Sequence, residues 1–216
     1  VYLGGAGMDG PYINDQVMAL GVSGIENIFV GTRTAGDGFM GNILDAAAVL
    51  KSRDRWEYNT GFTPGPFGTP YKTEQDWSWS SLGLSEPCLG DDEQVNLIGY
   101  SWGSLVAAQT AAYYAGRGVY IDNLVLVGSP ISAEFLMELK GNPNIGSVMI
   151  KDLGFNGDPI YAGMAANELM GALPVLLNQF LNVEDGVGHF YYNPDTEEGG
   201  RRRLQLAEDL FEEGIR

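Results

Sequence analysis

The stretch VNLIGYSWGSLVAAQTAAYYAG, residues 95–116, decides how this chain reads. Val95 to Ile98 is a short apolar run of strand type. Gly99-Tyr100-Ser101-Trp102-Gly103 follows and fits the pattern G-x-S-x-G. Leu105 to Ala115 is then a helical run rich in small residues, ended by Gly116. Strand, tight turn and helix form the setting in which this pentapeptide presents a nucleophilic serine. The glycines have a steric reason. The serine takes a strained backbone to push its hydroxyl above the sheet, and Gly99 and Gly103, lacking Cβ, let strand and helix approach closely. A helix N-terminus beneath the hydroxyl favours negative charge there. The plain alternative is an ordinary βα turn with a serine N-cap.

Outward from this turn, short β-rich runs alternate with helical patterns. Val1-Tyr2-Leu3 ends in Gly4-Gly5-Ala6-Gly7, and Pro11 to Leu20 predicts a helix stopped by Gly21. Ile25 to Val30 reads as a second strand, and Asn42 to Lys51 as a helix with Asn42 as N-cap. Leu124 to Val127 and Ser147 to Leu153 read as later strands, Tyr161 to Phe180 as a long apolar helix, and Leu204 to Glu213 as a final amphipathic one. This order predicts one α/β domain over residues 1–216, a mostly parallel sheet flanked by helices on both faces. Ligands of such sheets bind at the carboxyl ends of the strands, and every motif singled out here follows a strand. Residues 56–90, rich in Gly, Pro, Ser and Trp, interrupt the pattern. They predict either an irregular surface insertion or a lid that contacts substrate through Trp77, Trp79 and Leu82.

A serine nucleophile needs a base, and the chain holds one histidine, His189, in Gly188-His189-Phe190-Tyr191-Tyr192. The third member of a triad is a carboxylate between serine and histidine in chain order. Asp158, in Gly157-Asp158-Pro159-Ile160, is favoured over Asp152 and Asp185. It also fits a helix N-cap with Pro159 at the first helical position. Backbone N–H groups for a developing oxyanion are expected from Trp102 and from the Gly5, Ala6 and Gly7 loop, up to Met8. That loop is also readable as a plain βα turn or as a nucleotide loop, since Gly5-Ala6-Gly7-Met8-Asp9-Gly10 fits G-x-G-x-x-G, although no GK[ST] follows it.

Composition narrows the classes. With 12 basic and 28 acidic residues, the formal charge is −16, which opposes binding to nucleic-acid phosphates and to anionic membrane surfaces. The one cysteine, Cys88, forms no internal disulfide and reads as inert. No apolar run reaches transmembrane length. Val1 opens in a strand-like run without a basic leader, so the sequence reads as a fragment or a processed piece. Asp91-Asp92-Glu93 reads as an exposed acidic turn rather than a calcium site, and Arg201-Arg202-Arg203 as the start of a solvated helix face. Neither metal nor organic cofactor is expected.

The motifs GGAG (residues 4–7), GYSWGS (99–104), GDPI (157–160) and GHFYY (188–192) together resemble the α/β-hydrolase superfamily and, within it, lipases and esterases. The resemblance spans nearly the whole chain. It implies an ester hydrolase with Ser101, Asp158 and His189 as its triad, acting on lipids or phospholipids. Thioesterase, peptidase and carbohydrate esterase share that triad, and a non-catalytic binding domain on the same scaffold is the alternative from another class. The GDPI and HFYY pairing resembles bacterial lipase effectors delivered by type VI secretion. That likeness implies an antibacterial toxin, exported without a cleavable signal and countered by a cognate immunity protein; otherwise a cytoplasmic location is expected. Two departures stand out. No two strands precede the GGAG strand, so the fold is minimal or truncated at its N-terminus, and no eighth strand is evident before His189.

Overall fold

The computed structural model describes residues 1–5, 10–26, 28–31, 53, 62–64, 70–72 and 94–216. The expected helix over residues 42–51, the residues Trp77, Trp79, Leu82 and Cys88, and the acidic turn at 91–93 lie outside the described residues.

Five strands form one parallel sheet: β1 (Tyr2–Leu3), β2 (Val30–Gly31), β5 (Asn96–Tyr100), β6 (Ile121–Val127) and β7 (Ile145–Lys151). Their spatial order is β2-β1-β5-β6-β7, with every neighbouring pair parallel. The chain leaves β1 in one direction to form β2 and later returns to the other side of β1 as β5. The order therefore reverses between β1 and β5, the kind of position beyond whose strand ends such sheets bind ligands. Register aligns Leu3 with Gly99 and Gly99 with Leu126. The turns at Gly4-Gly5, Ser101, Gly128 and Asp152 consequently share one edge of the sheet.

Alternation of side chains along the strands divides the core in two. Leu3, Leu97, Leu124 and Leu126 pack on one face against α2 (Trp102–Ala115) and α3 (Ala133–Lys140). Tyr2, Ile98, Tyr100, Val125 and Val127 pack on the other against α1 (Pro11–Ser23) and α5 (Glu197–Glu212). The central strands are buried on both faces, as a parallel sheet between helix layers requires. A smaller cluster of Ile160, Met164, Leu169 and Ala172 lies beneath α4 (Ala166–Leu181). Among the described residues no helix is long and apolar enough to cross a membrane.

Several boundaries differ from expectation, each for a local reason. Helix α1 runs through Gly21 and stops at Gly24, whose φ of 103° supplies the left-handed cap. Of the expected second strand, Val30 pairs with Tyr2 and Phe29 accepts from the Tyr2 amide at 2.8 Å, and the strand runs on to Gly31. Helix α3, not expected, is capped by Ser132, which accepts from the Phe135 amide at 3.3 Å. Helix α4 starts at Ala166 rather than Tyr161, with Glu168 bonding back to the Ala165 amide at 2.6 Å. Helix α5 starts seven residues before Leu204, at Glu197. Thr196 caps it, and the helix runs through Gly199, where a Cβ would lie 2.1 Å from the Pro194 carbonyl oxygen. Within residues 56–90 the described segments β3 (Phe62–Pro64) and β4 (Pro70–Lys72) form a separate antiparallel pair, so this stretch is not wholly irregular.

Helix α2 approaches the end of β1 closely at Gly103. A Cβ on Gly103 would lie 2.1 Å from the Gly4 carbonyl oxygen and 2.4 Å from that of Leu3. A Cβ on Gly99 would lie 2.4 Å from the Ser104 Cα. These neighbours are backbone, so they cannot swing aside. Gly103→Ala is expected to cost about 3 kcal/mol of stability by forcing the helix off the sheet, read as a lowered midpoint in urea unfolding.

Candidate active site

Ser101 sits between β5 and α2 with φ 56° and ψ −126°, the one non-glycine residue with positive φ among the described residues. A side chain rarely tolerates this backbone; here the surroundings impose it. The Ser101 amide donates to the Val127 carbonyl at 2.8 Å, which ties the turn to β6. The Ser101 carbonyl accepts from the Ser104 amide at 3.0 Å and also from the Ser104 hydroxyl, which in turn touches Ser129 Oγ at 2.7 Å. The glycines on either side remove the clashes that would otherwise open the turn.

The Ser101 hydroxyl lies 2.6 Å from His189 Nε2, and His189 Nδ1 lies 2.9 Å from Asp158 Oδ2. Both distances are those of hydrogen bonds. His189 and Asp158 are 6% and 8% exposed, so this relay is largely shielded from water. Residues from three separate parts of the chain, 101, 158 and 189, thus form one hydroxyl–imidazole–carboxylate line. Asp152 does not join it: its Oδ1 accepts from the Ala162 amide at 3.1 Å. Asp185 lies in a single exposed turn of 3₁₀ helix over Val183–Asp185. Asp158 is not a helix cap either. Its Oδ1 accepts from the Ile160 amide at 2.9 Å, two residues on, while Oδ2 is left for the imidazole.

The orientation of His189 is fixed at the backbone as well as the ring. Its N–H donates to Gln179 Oε1 at 2.9 Å, and its carbonyl accepts from the Tyr100 hydroxyl. The Tyr100 ring stacks on the imidazole with centroids 5.9 Å apart and planes 23° apart. Burial raises the Tyr100 phenol well above its ordinary pKa, which keeps it a protonated donor. Room for the imidazole and carboxylate is left at Gly128, after β6. Its φ is +51°, and a Cβ there would lie 3.3 Å from Asp158 Oδ2 and 3.6 Å from His189 Cε1.

The expected oxyanion donors divide. Trp102 supplies the first amide of α2, next to Ser101. Gly5 lies close, its ideal Cβ 3.4 Å from the Ser101 Cβ, but its N–H donates to the Tyr12 hydroxyl at 2.8 Å. That amide is therefore turned toward α1 rather than toward the site. Ala6, Gly7 and Met8 lie outside the described residues.

The arginine run is not a solvated face. Arg203 is 1% exposed; its Nη1 donates to the carbonyls of Tyr192 and Pro194 at 2.7 and 2.9 Å, and its Nη2 reaches Asp15 at 3.0 Å. Arg202 donates to the carbonyls of Gly186 and Tyr191 at 2.8 and 3.0 Å and lies over the Tyr191 ring. Only Arg201 behaves as expected, pairing with Glu198 at the surface. These two arginines hold the loop that carries His189 from the side of α5. Tyr100, Gly128, Gln179, Arg202 and Arg203 went unnoticed in the sequence as site residues. For Gly128 a signal was present, a glycine directly after the strand run LVLV.

Comparison with family models, with curated proteins and with solved structures found no match to this chain.

Two outcomes test this geometry. Ser101→Ala and Ser101→Gly lose the same hydroxyl, but only glycine relieves the positive φ. Ser101→Gly is expected to be the more stable by about 1 kcal/mol, the reverse of the usual order of these residues, as differential scanning calorimetry would read. Arg203→Ala leaves buried carbonyls without their donor and is expected to cost about 3 kcal/mol, measured as a fall in melting temperature.

Proposed function

We propose that this chain is a serine hydrolase of α/β-hydrolase fold that cleaves carboxylic esters, with lipids or phospholipids as its substrate class. The observation that carries this reading is the contact of 2.6 Å between the hydroxyl on a strained strand–helix turn and an imidazole whose other nitrogen meets a buried carboxylate. A structural histidine has no need of a serine held at positive φ, and strain of this kind gathers at functional positions.

In the proposed reaction His189 Nε2 takes the proton from the Ser101 hydroxyl as Oγ attacks the ester carbonyl carbon. The Asp158 carboxylate keeps the Nδ1–H tautomer facing it and stabilises the imidazolium that forms. The tetrahedral oxyanion rests on the Trp102 amide and on an amide of the glycine loop. The imidazolium then protonates the leaving alcohol, the acyl group stays on Oγ, and water activated by His189 releases it. No step requires a metal or organic cofactor.

The lipid assignment is supported by the surface beside the site. Phe155 and Val187, on the segments that carry Asp158 and His189, and Leu177 and Leu181, on α4 between them in the chain, are all half or more exposed. Such side chains suit an acyl chain better than a sugar or a charged peptide. The likeness to secreted lipase effectors rests on GDPI and HFYY, the motifs that contain Asp158 and His189.

The test is release of fatty acid from a panel of phospholipids and of p-nitrophenyl esters of rising chain length. Wild-type protein is expected to hydrolyse them and to be labelled at Ser101 by a fluorophosphonate probe. Ser101→Ala is expected to lose at least about 10⁴-fold in kcat/KM. Hydrolysis that survives this substitution, or an unlabelled wild-type protein, overturns the reading.

A further inference from the structure

Gln179 takes no part in the relay, yet it touches the backbone on both sides of it. Its Oε1 accepts from the His189 N–H at 2.9 Å, and its Nε2 donates to the Gly157 carbonyl at 2.9 Å. Gly157 directly precedes Asp158. One planar amide thus joins the backbone of the base to the backbone next to the acid. The two bonds need an acceptor and a donor on the same group, which a side-chain amide supplies and a carboxylate or ammonium does not.

The chain makes room for this contact. A Cβ on Gly188 would lie 2.1 Å from Gln179 Nε2 and 2.5 Å from its Cδ. Gly188 also has a φ of +63°. Glycine is therefore required there for two independent reasons, one of which is the Gln179 side chain itself.

The need for such a clamp follows from the topology. Ser101 is fixed by β5, β6 and α2. Asp158 and His189 have no equivalent support: β7 ends at Lys151, and among the described residues no strand lies between it and His189. The loops are instead held by side chains, Arg202 and Arg203 from α5, Tyr100 from β5 and Gln179 from α4. Besides the His189–Asp158 bond of the relay itself, the bonds of Gln179 are the ones among those described that join the two loops to each other.

We propose that Gln179 is a positioning residue that sets the register of His189 against Asp158 and, through the imidazole, the aim of Nε2 at Ser101. The proposal rests on the serine-hydrolase reading above. Because Gln179 rides on α4, a shift of that helix is transmitted to the base without passing through the sheet.

The test compares wild-type protein, Gln179→Met and Gln179→Glu in hydrolysis of p-nitrophenyl butyrate, with active sites counted by fluorophosphonate. Methionine keeps the length and removes both bonds. Glutamate keeps the acceptor for the His189 N–H and loses the donor to Gly157; it also serves should the methionine variant fail to fold. Gln179→Met is expected to lower kcat per labelled site by about 10- to 100-fold, with KM within about twofold, and Gln179→Glu to fall between it and wild type. A variant that loses labelled sites or melting temperature but keeps wild-type kcat per site overturns the proposal, since Gln179 then serves the fold alone. If wild-type protein neither hydrolyses the ester nor takes the label, the hydrolase reading fails instead.

Discussion

The backbone of α2 presses on the backbone of β1 at Gly103, and most of the site is a consequence of that approach. With only hydrogen on this residue, the helix drops onto the carbonyls of Leu3 and Gly4. The chain must then turn from β5 into α2 in too little space for an ordinary loop, and Ser101 is driven to positive φ. The same approach brings the Gly4-Gly5 turn beside Ser101. The hydroxyl and the glycine loop are thus placed by one packing event. The hydrogen bonds at Ser101 and Ser104 then hold the turn against the strain, as an interior packed at native density does with a locally unfavourable backbone.

The other half of the site is built differently. Asp158 and His189 come from segments without sheet support, and what orders them is a set of polar side chains directed at backbone groups. Gly186, Tyr191, Tyr192 and Pro194 each give a carbonyl to Arg202 or Arg203, and His189 gives its carbonyl to Tyr100 and its amide to Gln179. A buried guanidinium with several carbonyl partners is costly to disturb, because each lost bond leaves a desolvated group. It can therefore do for a loop what ladder bonds do for a strand. A sheet that stops at β7 and a well-ordered histidine loop are compatible for this reason.

Legibility in the sequence followed the range of the interaction concerned. The turn at Ser101 was readable because strand, glycines and helix are contiguous and their steric logic is local. The single histidine forced the choice of base, and Asp158 was favoured over Asp152 because it lies in a loop beyond the expected strand, from where a carboxylate can reach across to His189. Helix α3 was also local, with Ser132 as cap and Gly141 after its end, but its short length hid it between two strands. What stayed illegible depended on partners far away in the chain. Arg202 and Arg203 look like any basic run until the carbonyls from residues 186 to 194 are brought beneath α5. Gln179 looks like a surface residue of an apolar helix. The Gly5 amide has the right place for an oxyanion donor and the wrong direction, because Tyr12 captures it; no sequence pattern reports the direction of an N–H.

The division between a sheet-anchored nucleophile and side-chain-anchored partners bears on how such a site would respond to its substrate. The nucleophile cannot move without opening the packing at Gly103, so adjustment falls to the segments around Asp158 and His189. Those segments carry the exposed Phe155 and Val187, and α4, whose Leu177 and Leu181 are also exposed, holds them through Gln179. An apolar substrate settling on these side chains would bury surface on the half of the relay held by side chains rather than on the half held by the sheet. Each exposed side chain covered in this way contributes roughly 1 kcal/mol, comparable with one of the hydrogen bonds that seat the loops. For the proposed ester hydrolase, substrate contact and alignment of the base would then be drawn from the same structural element.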